Sequence, residues 1–206
     1  GFINSCNGLR IHFWGGFSLE GKGEELSPHA DLIQQGAIGL AEDNSIISTA
    51  LIKKGLVLAE MGSSPVLFAP RDIQIQGDGI VREGIETLRA GWAPDPIASE
   101  TIPLGQLLEL HRQHPEVAMR LMNISTADGV SMLSKSTSRP IASVNWWHLI
   151  ADSSNMPPTD IGWRVSPSIG SAKDRNALIQ GLKKGTLTAV AVNSIPLDEV
   201  QTQLPP

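Results

Sequence analysis

Short apolar and β-branched runs alternate with longer segments of helical period along nearly the whole chain. That alternation is the pattern of βαβ units, in which a parallel sheet is covered by the helices that connect its strands. The strand-like runs are residues 9–14, 38–41, 66–69, 118–124, 141–146 and 188–192. Between them, residues 23–35, 45–61, 103–114, 128–135 and 172–185 carry helical patterns. The last is the clearest: Ser171 can cap it, Leu178, Ile179 and Leu182 line one face, and Gly185 ends it. Residues 77–98 join a short helix at 83–88 to the proline-broken Ala93-Pro94-Asp95-Pro96, and a long loop is expected there. Residues 152–163, with Ser153, Ser154, Asn155, Pro157 and Pro158, read as a second loop. The expected class is α/β.

A chain of 206 residues suits one domain at about 150 residues per domain. Its 41% hydrophobic content supports a core and argues against disorder. Sixteen Lys and Arg against twenty-one Asp and Glu leave a net charge of -5 and no basic stripe, so nucleic acid is not an expected partner. Cys6 is the single cysteine, which excludes an internal disulfide and a cysteine-rich zinc site and fits a cytoplasmic location. No apolar run reaches the ~18 residues of a membrane span, and residues 1–8 lack the basic start and apolar run of a signal peptide.

In parallel α/β folds the chemistry lies beyond the carboxyl ends of the strands. Here those ends read Trp14-Gly15-Gly16, Glu42-Asp43, Ala69-Pro70-Arg71-Asp72, Asn123, Trp146-Trp147-His148 and Asn193-Ser194. A hydrolytic metal site needs imidazoles and carboxylates converging from several of them, and Glu42, Asp43, Asp72 and His148 are the candidates. Gly15-Gly16 lacks any phosphate-loop pattern and reads as a tight turn after the first strand. Ser125-Thr126 reads as a helix cap, without the glycine-flanked elbow of a serine nucleophile. His12 reads as an interior histidine, His111 and His114 as solvated, and Glu42-Asp43 as a solvated cap for the next helix. Trp146 and Trp147, adjacent in a strand, are expected on opposite faces of the sheet.

The segment Asp174-Arg175-Asn176-Ala177-Leu178-Ile179-Gln180-Gly181-Leu182-Lys183-Lys184-Gly185-Thr186, followed by Ala189-Val190-Ala191, resembles the D-R-x-A-L-I-x-G-L-x-x-G-T-x-x-x-x-A stretch of dihydroorotases. Upstream, Gly23-Glu24-Glu25-Leu26 is similar to that family's G-E-E-L, Gly36-Ala37-Ile38 to its G-A-V, and Glu83-Gly84 with Gly91 and Pro94 to its M-H-E-G loop and G-x-P. Asn123-Ile124-Ser125-Thr126-Ala127 resembles H-V-S-T-A, Trp147-His148-Leu149 resembles H-H-L, and Arg164-Val165-Ser166-Pro167-Ser168 resembles K-V-N-P-P. The resemblance implies the amidohydrolase superfamily: metal-dependent TIM-barrel enzymes that open or close the dihydroorotate ring in pyrimidine biosynthesis.

The departures fall where that family's chemistry is carried. The histidine of its A-H-C-E-D falls on Ala69, that of H-V-S-T-A on Asn123, and the aspartate of T-D-H-A-P-H, a metal ligand and proton shuttle, on Asn193. The arginine ending its P-P-L-R falls on Gly170, whereas the acidity of its S-D-D-G survives in Ala41-Glu42-Asp43-Asn44. A neutral amide at 193 supplies no general base, so the expectation is a protein without dihydroorotase turnover and with no resident cofactor. Its role is then structural, or one of assembly with a second copy or an aspartate transcarbamoylase-type partner.

The six strand runs correspond to the third through eighth of a barrel that closes with eight. With no initiating methionine and no H-x-H pair, residues 1–206 are expected to form a single partial barrel from a longer inactive protein. The alternative is a metal-dependent cyclic amidohydrolase with a reduced site, holding zinc on Glu42, Asp43, Asp72 and His148. A further reading is a pocket that binds a pyrimidine-like ligand without turnover, with Trp147 stacking and Asn123 or Asn193 pairing with its edge.

Overall fold

A computed structural model describes residues 11–156 and 164–193. Its centre is a six-stranded sheet in which every neighbouring pair is parallel. In chain order the elements are β1 (Gly15–Gly16), α1 (His29–Gln34), β2 (Leu40–Glu42), α2 (Thr49–Leu58), β3 (Val66–Phe68), α3 (Ile73–Gln76) and β4 (Val81–Arg82). They continue with α4 (Ile85–Ala90), β5 (Pro94–Asp95), α5 (Ala98–Gln113), β6 (Met119–Leu121), α6 (Ala127–Lys135), β7 (Ile141–Asn145), α7 (Trp147–Ile150), α8 (Ala172–Lys183) and β8 (Ala189–Ala191). The sheet order β1-β2-β3-β6-β7-β8 follows the chain, as successive βα units require. Among the described residues no helix is long and apolar enough to cross a membrane.

Strand alternation places the core. Leu40, Val66, Phe68, Met119, Leu121, Ala142 and Val144 point to the helix side, where they meet Ile52 and Leu56 of α2, Leu104 and Leu107 of α5, Leu133 of α6 and Leu178 of α8. Phe17 completes this layer, its ring edge-on to Phe68 with centroids 5.0 Å apart. The opposite row, Ala41, Leu67, Arg120 and Ile141, lies in register across four strands and is half-buried or exposed. One face of the sheet is therefore packed and the other open.

The α8 helix is built as its sequence predicts. The Ser171 hydroxyl accepts from the Asp174 amide while Asp174 Oδ2 accepts from the Ser171 amide at 2.8 Å, and Asp174 Oδ1 also takes the Ala127 amide of α6 at 2.8 Å. Ser171→Ala is expected to lower stability by about 1 kcal/mol, checked by urea denaturation. Thr126 caps α6, accepting from the Gly129 amide at 2.9 Å.

Several expectations change. The first strand is Gly15–Gly16, where a turn was expected; residues 9 and 10 lie outside the described residues, and Ile11, His12 and Phe13 are exposed. Glycine suits this strand because a Cβ on Gly15 would come within 3.0 Å of Leu32 and 3.1 Å of Leu40. Residues 77–98 are not a long loop but a second parallel pair, β4 and β5, joined by α4. The helix expected from residue 23 starts at His29, because Gly23 has a left-handed φ of 71° and Ser18 bridges Leu26. The helix expected from 103 begins five residues earlier, and His111 on it is buried rather than solvated. β7 ends at Asn145, so Trp146 and Trp147 leave the sheet; their rings lie together, centroids 4.3 Å apart, instead of on opposite faces. The loop expected at 152–163 is described only to residue 156.

Candidate functional site

The carboxyl ends of β2, β3, β6 and β8 open into one cavity of about 230 Å³, lined among others by Asp43, Ala69, Arg71, Asn123, Ser166 and Asn193. It thus gathers Ala69, Asn123 and Asn193, three positions singled out from the sequence.

The candidate residues divide. Asp43, Asn123 and Asn193 line the cavity. Asn123 sits at φ 57°, a left-handed conformation that asparagine tolerates, and its amide donates to Ser143 Oγ at 3.0 Å. Its Oδ1 is buried and has no hydrogen-bond partner. Glu42 is buried instead of solvated, and its Oε2 accepts from the Ser18 amide at 3.1 Å and the Ser18 hydroxyl at 2.6 Å. Asp72 caps α3, accepting from the Gln74 and Ile75 amides at 2.9 and 3.1 Å. Glu42 and Asp72 line a separate groove of about 490 Å³ beside the start of α2. His148 is buried, and its Nε2 donates to the Pro167 carbonyl at 3.0 Å. Burial holds its pKa at about 4, well below the ordinary imidazole range. Trp147 is half-buried against Trp146 and does not line the cavity.

Arg71 and Ser166 were not singled out from the sequence. Arg71 follows the end of β3; its Nε donates to Gln76 Oε1 at 2.8 Å and its Nη1 to Ser166 Oγ. Burial pulls its pKa down, while the Asp95 carboxylate opposes that. A charged residue within Ala69-Pro70-Arg71-Asp72 was the available signal.

Behind the cavity lies a buried charge cluster. Arg82 of β4 pairs with Asp95 of β5 at 3.0 Å and with Glu100 of α5 at 3.5 Å, and all three side chains are almost fully buried. Its guanidinium also donates to Ser99 Oγ at 2.6 Å and Ser125 Oγ at 2.9 Å. Glu100 accepts the hydroxyls of Ser125 and Thr126, each at 2.6 Å, and both their amides. The cluster fixes the chain just after Asn123.

A catalytic zinc needs about three protein ligands and an open position. The cavity offers one carboxylate, two amides, a hydroxyl and a guanidinium, and no group of three or more His, Cys, Asp or Glu that could hold a metal ion occurs among the described residues. These residues do not fit a zinc centre.

No family model matches the chain. A probable dihydroorotase-like protein of Synechocystis sp. is 33% identical over 196 residues, an alignment covering 90% of this chain and 44% of that protein. The chain is a dihydroorotase homologue. A dihydroorotase of Brevibacillus brevis is 29% identical over 194 residues, covering 91% of this chain and 45% of the enzyme. In structure, a D-hydantoinase from Bacillus sp. AR9 superposes with a TM-score of 0.66 at 17% identity, over 82% of this chain and 40% of that one. The latter likeness concerns the fold alone: this homologue is an α/β protein with part of a TIM-barrel fold. It spans less than half the length of the curated relatives it matches.

Proposed function

We propose that this dihydroorotase homologue is non-catalytic and serves a structural or assembly role. One observation carries the reading: the strand-end cavity brings together Ala69, Asn123 and Asn193, so the positions of two metal-binding imidazoles and the proton-shuttling aspartate hold a methyl group and two neutral amides. A neutral amide neither accepts a proton at neutral pH nor anchors a hydrolytic metal as a carboxylate does. The charge buried at this end, Arg82 with Asp95 and Glu100, is spent on holding the framework.

In this reading residues 1–206 act as one partial-barrel unit in the cytoplasm, within pyrimidine biosynthesis. Its open sheet face and barrel edges are completed by a second copy or an aspartate transcarbamoylase-type partner. Neither nucleic acid nor membrane is involved.

Elemental mass spectrometry of the full chain, purified from zinc-supplemented growth without chelators, is expected to find well under one zinc per chain. Dihydroorotate turnover is expected to be absent. One or two zinc ions per chain together with ring opening that disappears in His148→Ala would establish the reduced-site amidohydrolase instead. Co-purification in mild salt tests the partner: isolation as a lone monomer, free of any transcarbamoylase, would count against assembly.

A further inference from the structure

The strand-end cavity holds two opposite charges that do not meet. Asp43 at the end of β2 is exposed and has no hydrogen bond or ion pair, although Arg71 lines the same space. A carboxylate and a guanidinium that line one cavity without pairing leave room for a ligand that pairs with both. The third feature is Asn123 Oδ1, a buried acceptor with no donor. An orphaned acceptor of this kind is unfavourable unless something supplies an N–H or O–H.

Each group selects one half of a ligand. The Arg71 fork is oriented before binding, because Gln76 holds Nε and Ser166 holds Nη1, and a guanidinium so fixed recognises a planar carboxylate. Asp43 and Asn123 Oδ1 are acceptors only, so the partner they require is a donor, and an ammonium group satisfies both. The volume of about 230 Å³ falls under the ~300 Å³ at which pockets for drug-sized molecules begin, which suits a compact metabolite. Ala69, with no side chain beyond Cβ, helps leave that volume open.

We infer that the cavity binds a small zwitterion of the α-amino-acid type, its carboxylate on Arg71 and its ammonium on Asp43 and Asn123 Oδ1. This requires neither turnover nor a partner, so it stands or falls separately from the assembly reading. It also inverts what the resemblance implies for this place, where a metal cation would be held by imidazoles and carboxylates.

Calorimetric titration of the full chain with L-alanine, L-serine and L-asparagine tests it, with acetate and ethylamine as half-ligands. At least one amino acid is expected to bind in the millimolar range or tighter, with acetate and ethylamine weaker by at least about tenfold. Asp43→Asn and Arg71→Gln are each expected to weaken the amino acid by at least about tenfold. Because Arg71 also braces Ser166 and Gln76, the exposed and unpartnered Asp43 carries the test if the arginine variant misfolds. No heat from any of the three amino acids up to about 20 mM would overturn the inference. So would acetate binding as tightly as the amino acid, or an unchanged affinity in Asp43→Asn.

Discussion

Arg82→Leu is expected to lower the unfolding free energy by about 3–5 kcal/mol, the range for removing one partner from a buried ion pair. The reason is what stays behind. Asp95 and Glu100 are about 1% exposed, and without the guanidinium both buried carboxylates lose the ion pair they share. Ser99, Ser125 and Thr126 still donate to them, which softens the loss but supplies no charge. For a chain of this size the melting temperature should drop by about 6–20 °C. Urea denaturation at pH 7 gives the number, and a loss below about 1 kcal/mol would mean that the cluster is worth no more than a surface pair. Arg82→Leu combined with Glu100→Gln is expected to cost less than the sum of the two single changes, because the uncompensated charge is then partly removed.

The consequence reaches the site. Arg82 and Glu100 together grip Ser125 and Thr126, which follow Asn123 and lead into α6. Gly129, one turn into that helix, lies so close to the Glu100 carboxylate that a Cβ would approach Oε1 to 2.3 Å. The strand end bearing Asn123 is thus set by charges on β4, β5 and α5, elements that sequence patterning described as a loop and a late helix start.

That contrast shows what the sequence could reveal. Five of the six sheet strands and α8 were legible because apolar runs and a Ser-to-Asp capping box leave local marks. The pair β4 and β5 was not, since two-residue strands are too short for any period and their proline and aspartate read as turn formers. Gly15–Gly16 read as a turn for the same reason: what makes it a strand is the close passage of Leu32 and Leu40, a tertiary fact. In the site, Asp43, Asn123 and Asn193 were found because strand ends were the place to look. Glu42, Asp72 and His148 also sit at strand ends, but burial and capping bonds that no local pattern encodes direct them elsewhere. Arg71 escaped because an arginine has no place in a search for metal ligands.

His148 gives the second large effect, a pH dependence. Its ring is 2% exposed, its Nε2 donates to Pro167, and the buried Arg82 guanidinium adds to the burial that holds its pKa at about 4. In the unfolded chain the same imidazole titrates near 6.5. The folded value is the lower one, so above about pH 6.5 the ring is neutral in both states and costs nothing. As pH falls from about 6.5 toward 4 the unfolded chain takes up a proton that the fold refuses, and stability is lost progressively, by about 3 kcal/mol in all. Burial also pushes the His111 pKa down, and His148→Gln separates the two rings, because glutamine can still donate to the Pro167 carbonyl but cannot be protonated. Urea unfolding at pH 7 and pH 4 should show the parent protein losing about 2–3 kcal/mol more than the variant. Parallel losses would mean that the ring reaches solvent or accepts the proton in place. An imidazole that instead swung out to hold a metal would couple its titration to zinc, so adding zinc at pH 5 should leave the parent's stability unchanged if the Pro167 bond keeps the ring inside.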